Sequence, residues 1–116
     1  MERAEPRQTD SAFCQFTSMV YGWRAAFIIL RGYYSRRHLR TIRAVVTRWA
    51  PPRENNTENY VRHVSQYTGI HPDALLPPPD ADPVTWRMIA AAIAQHENGP
   101  HTIDSDAMLR GWEAAK

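Results

Sequence analysis

From Met19 onward, apolar residues recur at three- and four-residue spacing: Met19, Trp23, Ala26, Phe27, Leu30 and Tyr34. Such a stripe lines one side of a helix, so the pattern predicts an amphipathic helix from Met19 to about Arg36, capped by Thr17 or Ser18. Gly22 and Gly32 are read as points where another helix approaches closely. Just upstream, Ser11 to Phe16 carries Phe13 and Phe16 near a polar opening and reads as a short strand or a turn. A second helix is predicted over Leu39 to Trp49, with Ile42, Val45, Val46 and Trp49 on one side and Arg40, Arg43 and Thr47 on the other. Pro51 and Pro52 lack amide donors and stop it. The third helix begins where Asn55 or Asn56 caps it; Asn55 and Glu58 have the spacing of a capping box, and Gly69 ends it. Val61, Val64 and Thr68 face inward. Asp82 and Pro83 form a cap and first-turn pair for a fourth helix, running through Trp86, Ile89, Ile93 and Ala94 until Asn98 and Gly99. A last helix occupies Asp104 to Ala115. No internal repeat and no sustained alternation is visible, so the chain reads as all-α, a compact single-domain bundle of about five helices. Residues 1–12 read as a flexible N-terminal segment, and 77–82 as a proline-rich connector too short to divide domains.

Composition narrows the picture without changing it. A chain of 116 residues with 43% hydrophobic content is one small folded unit. Apolar runs such as Ala25 to Leu30 fall far short of the roughly 20 residues a membrane span needs. Met1 to Asp10 has no apolar signal core, so no export signal is visible. The single cysteine, Cys14, excludes an internal disulfide framework, fits a reducing compartment and reads as a small buried apolar residue. Synthesis in a bacterial cytoplasm, or association with a virion, is compatible with these features.

Charge is distributed unevenly. The formal net charge is +2, yet no Asp or Glu occurs between Ser11 and Arg53, an interval with eight arginines. All basic residues but Lys116 are arginine, which favours planar, bidentate contacts with carboxylates or phosphates. Arg31, Arg36, Arg37, Arg40, Arg43 and Arg48 therefore read either as a solvated face paired with the acidic second half, or as a surface for nucleic acid or an anionic envelope polymer.

Three constellations carry candidate chemistry. Glu97 continues the stripe of Trp86, Ile89 and Ile93 at the end of the fourth helix. Desolvation and the negative end of the helix dipole would both raise its pKa, as a general acid near neutral pH requires. The competing reading is a terminal Glu in solvent or paired with an arginine. The second group is Glu54 with Asn55, Asn56, Thr57 and Tyr60, a corner of carboxylate, amides and hydroxyls suited to sugar hydroxyls and peptide amides; capping alone accounts for much of it. Third, His96, Glu97 and His101 invite a zinc reading. A helical zinc protease site needs two histidines four apart on a continuous helix, whereas these are five apart across Asn98-Gly99-Pro100. Isolated His38, His63 and His71 have no ligand spacing, and no Gly-rich phosphate loop is present, so no metal site and no cofactor is expected.

Phe13-Cys14-Gln15-Phe16, Trp23-Arg24-Ala25-Ala26, Thr41-Ile42-Arg43, the run from Arg48 to Thr57 with Tyr60, and Ala92-Ile93 with Glu97-Asn98-Gly99 together resemble bacterial and prophage phage structural proteins. Those look like relatives of the virion-associated lysin of enveloped double-stranded RNA phages. The resemblance covers about Gln8 to Gly111 and implies a lysozyme-like fold, permuted or partial, with peptidoglycan as substrate. The family usually begins with a further segment rich in Arg, Asn, Pro and Gly that is not seen before Met1. A truncated copy of this kind would retain binding and lose turnover if that segment forms part of the cleft.

Within the resemblance, Glu97 looks like the acid that follows an Ala-Ile helix in lysozyme-like transglycosylases. It would protonate the glycosidic oxygen, while Glu54 or the substrate's acetamido group stabilises the cation. Asn55, Asn56, Thr57, Tyr60, Trp49 and Asn98 are the candidate substrate contacts. Cleavage in the stem peptide, with Glu97 activating a water, stays open. The rival reading is a non-catalytic helical virion module or an Arg-rich nucleic-acid binder. Nucleic-acid readers usually gather their bases along one helix, whereas Arg24 to Arg53 spans two helices and a turn, which favours the envelope.

Overall fold

Four side-chain caps set where helices begin. Thr41, Asn56, Asp82 and Asp104 each accept a hydrogen bond from the amide three residues on, at Ala44, Asn59, Thr85 and Ala107, and each satisfies a donor the first helical turn leaves open. The computed structural model describes residues 20–99 and 103–116, and among these the chain forms five α-helices and no strand. They are α1 (Val20–Ser35), α2 (Ile42–Trp49), α3 (Thr57–Thr68), α4 (Pro83–Asn98) and α5 (Ser105–Ala114). Thr17, Ser18 and the Phe13 to Phe16 segment, like residues 1–12, lie outside the described residues. None of the described helices is long and apolar enough to cross a membrane.

Two starts differ from the sequence expectation. Helix α2 begins at Ile42, three residues later than predicted, because the chain first closes α1. Leu39 N bonds to Tyr33 O at 2.9 Å, and His38 adopts a left-handed φ of 58° to make that turn. At α3 the cap is Asn56, not Asn55: the Asn55 amide donates instead to Pro51 O at 3.1 Å. The capping box with Glu58 does not form, since the Glu58 carboxylate pairs with Arg43. The ends of α3 and α4 are as predicted. Gly69 takes the left-handed C-cap at φ 75°, and Gly99 follows Asn98 at φ 80°.

The stripes meet in one core. Trp23, Phe27 and Leu30 of α1, Ile42, Val45 and Val46 of α2, Tyr60, Val61 and Val64 of α3, and Trp86, Ile89 and Ile93 of α4 are all buried. Each large apolar side chain removed from water contributes about 1.5 to 3 kcal/mol before chain entropy is counted. Helix α1 packs along α5, α3 along α4, and α2 against α3. In the α1–α5 seam, Phe27 stacks near Trp23 at 5.9 Å and meets the Trp112 ring edge-on at 5.0 Å. The close-approach glycine there is Gly111: a Cβ at that position would sit 2.4 Å from Trp23 Cβ and 2.9 Å from Arg24 N. Gly32 does not serve that purpose, because its nearest neighbour is the side chain of Arg36, just beyond the end of the same helix. Gly22, the other predicted position, is buried.

The proline connector is pinned at several points. Leu76 N bonds to Arg40 O at 2.8 Å, and Trp86 Nε1 donates to Pro77 O at 2.8 Å. After Pro77 the chain does not stay extended: Ala81 N and Asp82 N both bond to Pro78 O at 3.0 Å, turning it into α4. Arg31 of α1 pairs with Asp80 at 2.9 Å and lies 4.4 Å over the Trp112 ring, joining α1, the connector and α5.

Candidate functional site at the end of the α3–α4 seam

Helix α3 presents Tyr60, His63 and Tyr67 along one edge of its apolar stripe, at spacings of three and four that keep them on one side. Helix α4 brings His96 and Glu97 to the same place in its last turn. The Tyr60 hydroxyl donates to Glu97 Oε2 at 2.7 Å, while its ring stacks on His96 with centroids 3.8 Å apart and planes 25° off parallel. His96 Nδ1 lies 2.9 Å from His63 Nδ1, and His63 meets the Tyr67 ring edge-on at 6.4 Å. Tyr60 is buried; Glu97, His96 and His63 are half-buried.

The two imidazoles meet head-on. Their centroids are 5.1 Å apart with the facing nitrogens at 2.9 Å, so one Nδ1 carries the proton and the other accepts it. That bond requires at least one neutral ring. Burial holds the His96 pKa below the ordinary histidine value, and the charge of His63 pushes in the same direction. With the two nitrogens aimed at each other and not at a common point, the pair shares a proton and does not frame a chelate. Among the described residues, no group of three His, Cys, Asp or Glu side chains is arranged to hold a metal ion; His101 lies outside them.

The other predicted site residues fall elsewhere. Trp49 is 6% exposed and belongs to the core beneath the Pro51-Pro52 turn. Glu54 is exposed on that turn, its amide bonded to Pro51 O at 3.1 Å. Asn55 braces the turn, Asn56 caps α3, and the Thr57 hydroxyl donates to Ala50 O at 2.6 Å, so their polar groups hold the corner together. Asn98 is half-buried beside Glu97. The structure thus joins Tyr60 to Glu97 and spends the amides and hydroxyl of the Asn-Asn-Thr run on architecture.

Sequence reading missed the pairing of the two histidines. They are 33 residues apart, and nothing in local spacing links them. Tyr60 and His63 at i and i+3 on the border of an apolar stripe were the available signal, since a polar edge beside a core face marks where a neighbouring helix will supply partners.

The chain is similar to Protein P5 of Pseudoalteromonas phage PM2, with 35% identity over 104 residues. The match covers 90% of this chain and 62% of that protein, so the chain spans less than two thirds of the relative's length. No protein-family model matches the chain, and no solved structure matches it.

Proposed function

We propose that this chain is a phage-derived structural protein that engages the peptidoglycan of the host wall and cleaves it, with Glu97 as the general acid. Its likeness to a phage protein supports the origin, and the resemblance to virion-associated lysins supports the substrate. The observation that carries the catalytic part is the 2.7 Å bond from Tyr60 to Glu97 at the half-buried end of α4. A carboxyl group with one oxygen held by a buried tyrosine has a restricted orientation, and general acid catalysis depends on presenting the proton along one direction.

In this reading Glu97 protonates the glycosidic oxygen, and the resulting cation is stabilised by the substrate's own acetamido group or by a second carboxylate, for which Glu54 is the candidate. Tyr60 orients the carboxyl, and His96 fixes the Tyr60 ring by stacking. Asn98 meets the glycan beside the acid. When a stem-peptide bond is the target, the same carboxylate activates water instead.

The test is mass spectrometry of soluble products released from purified sacculi by the intact protein. Fragments with new glycan ends support acid-assisted glycan cleavage; free stem peptides support the peptide-bond version. Retention on sacculi without release leaves a binding module, and neither retention nor release removes the wall from the account.

A further inference from the structure

The sequence spreads its arginines over two helices, but the fold gathers several of them. Tyr33 of α1 and Arg36 and Arg37, just beyond its end, line with Ile29 and Gly32 a cavity of about 450 Å³. Arg48, near the end of α2, lines a neighbouring shallow cavity of about 790 Å³ that runs to Pro51 and Pro52. Tyr33 lines the first of these and Arg48 the second. Burial raises the Tyr33 pKa, while the charges of Arg48 and Arg37 and a hydrogen bond from Arg48 act against that rise. Arg40, in the turn between α1 and α2, lies over the Tyr34 ring at 4.6 Å.

Among the described residues, no carboxylate pairs with Arg36, Arg37, Arg40 or Arg48, whereas Arg31, Arg43 and Arg110 are each tied to an acid. All four lie on the exposed surface. A concentration of positive charge with planar donors and a neutral phenol donor suits tetrahedral oxyanions, above all phosphate.

We infer that Tyr33, Arg36, Arg37 and Arg48 form a binding site for the phosphates of a nucleic-acid backbone, with Arg40 extending it. Two features favour a backbone over a lipid surface. A membrane-binding face pairs its basic residues with exposed apolar side chains that enter the bilayer. Among the described residues the large exposed apolar side chains are Tyr21, Ile28, Tyr67, Leu75, Val84 and Leu109, and none lies within the segment from Tyr33 to Arg48 that supplies the cluster. The arginines also continue beyond one cavity, as successive phosphates require and a single free phosphate does not.

This site is separate from the Tyr60–Glu97 pair, so its test needs no wall activity. Fluorescence anisotropy of a labelled 20-base-pair DNA duplex is titrated with the full chain at salt concentrations from 50 to 200 mM. With three phosphates neutralised, affinity falls by about 40-fold across that range. The R36A/R37A/R48A variant should lose most of the binding and flatten the salt slope by about 2.7. The single variant Tyr33→Phe, which leaves every charge in place, should weaken binding a few-fold at unchanged slope, and circular dichroism confirms that both variants are folded. A duplex affinity indifferent to salt or to the triple substitution overturns the inference. So does binding to vesicles containing phosphatidylglycerol without binding to DNA.

Discussion

The α1–α5 seam and the α3–α4 seam are the two principal helix pairings of this protein, and they end differently. The first is closed by shape. Trp23, Phe27 and Trp112 interlock, and Gly111 lets the backbones approach until no further atom fits. The second begins with Val61 and Val64 against Ile89 and Ile93, then finishes in Tyr60, His63, His96 and Glu97. Apolar residues would have closed that end at lower desolvation cost. A seam that substitutes four ionisable groups for a dry end is where chemistry is most economically sought, while the aromatic seam carries stability.

The contrast breaks first, and by the largest amount, at Gly111. Gly111→Ala places a Cβ against backbone that cannot swing aside, and we expect a loss of about 3 kcal/mol in urea unfolding, with little change in the α3–α4 cluster. A variant as stable as the parent would show that the α1–α5 contact is looser than described. Tyr60→Phe keeps the ring on His96 and removes only the hydroxyl. It should cost about 1 kcal/mol of stability, and lower wall turnover by a larger factor than that loss explains. Equal losses in both would make the hydroxyl structural.

The third effect is one of pH. The folded-state pKa of His96 lies below its unfolded value of 6.5, so the unfolded chain takes up a proton first as pH falls. Stability contributed by this group is therefore present above about pH 6.5 and is lost progressively below it, down to the folded-state pKa. His63, Tyr60 and Glu97 are the titratable groups that face it, and His96→Gln should flatten the melting-temperature profile between pH 5 and pH 7. An unchanged profile would assign the acid sensitivity elsewhere. The smallest effect belongs to Arg43, whose pairs with Asp73 and Glu58 are solvent-exposed. Arg43→Ala should leave the melting temperature within experimental scatter at moderate salt.

Helices were legible where apolar spacing and stop signals coincide. The limits of α3 and α4 follow from Gly69, from Asp82 with Pro83, and from Asn98 with Gly99, because caps and breakers act through their own backbone. The start of α2 was not, since His38 had to adopt a left-handed turn that its residue type only weakly announces. Choosing between Asn55 and Asn56 as the cap depended on the Pro51 carbonyl competing for one of them, a partner set by the turn itself. At the site, Glu97 stood out because it continued an apolar stripe, and Tyr60 because it followed the turn. His63 and His96 were invisible as a pair, for only the packing of α3 on α4 brings them within 2.9 Å. Gly111 was likewise unremarkable until Trp23 was placed beneath it.

The central claim is that the polar end of the α3–α4 seam acts on the wall, and Glu97→Gln tests it most directly. Unfolding free energy and release of soluble fragments from purified sacculi are measured side by side for the parent and the variant. The account predicts stability within about 1 kcal/mol of the parent and release reduced by about 10² to 10⁴-fold. A folded Glu97→Gln protein that releases fragments at the parental rate would contradict it.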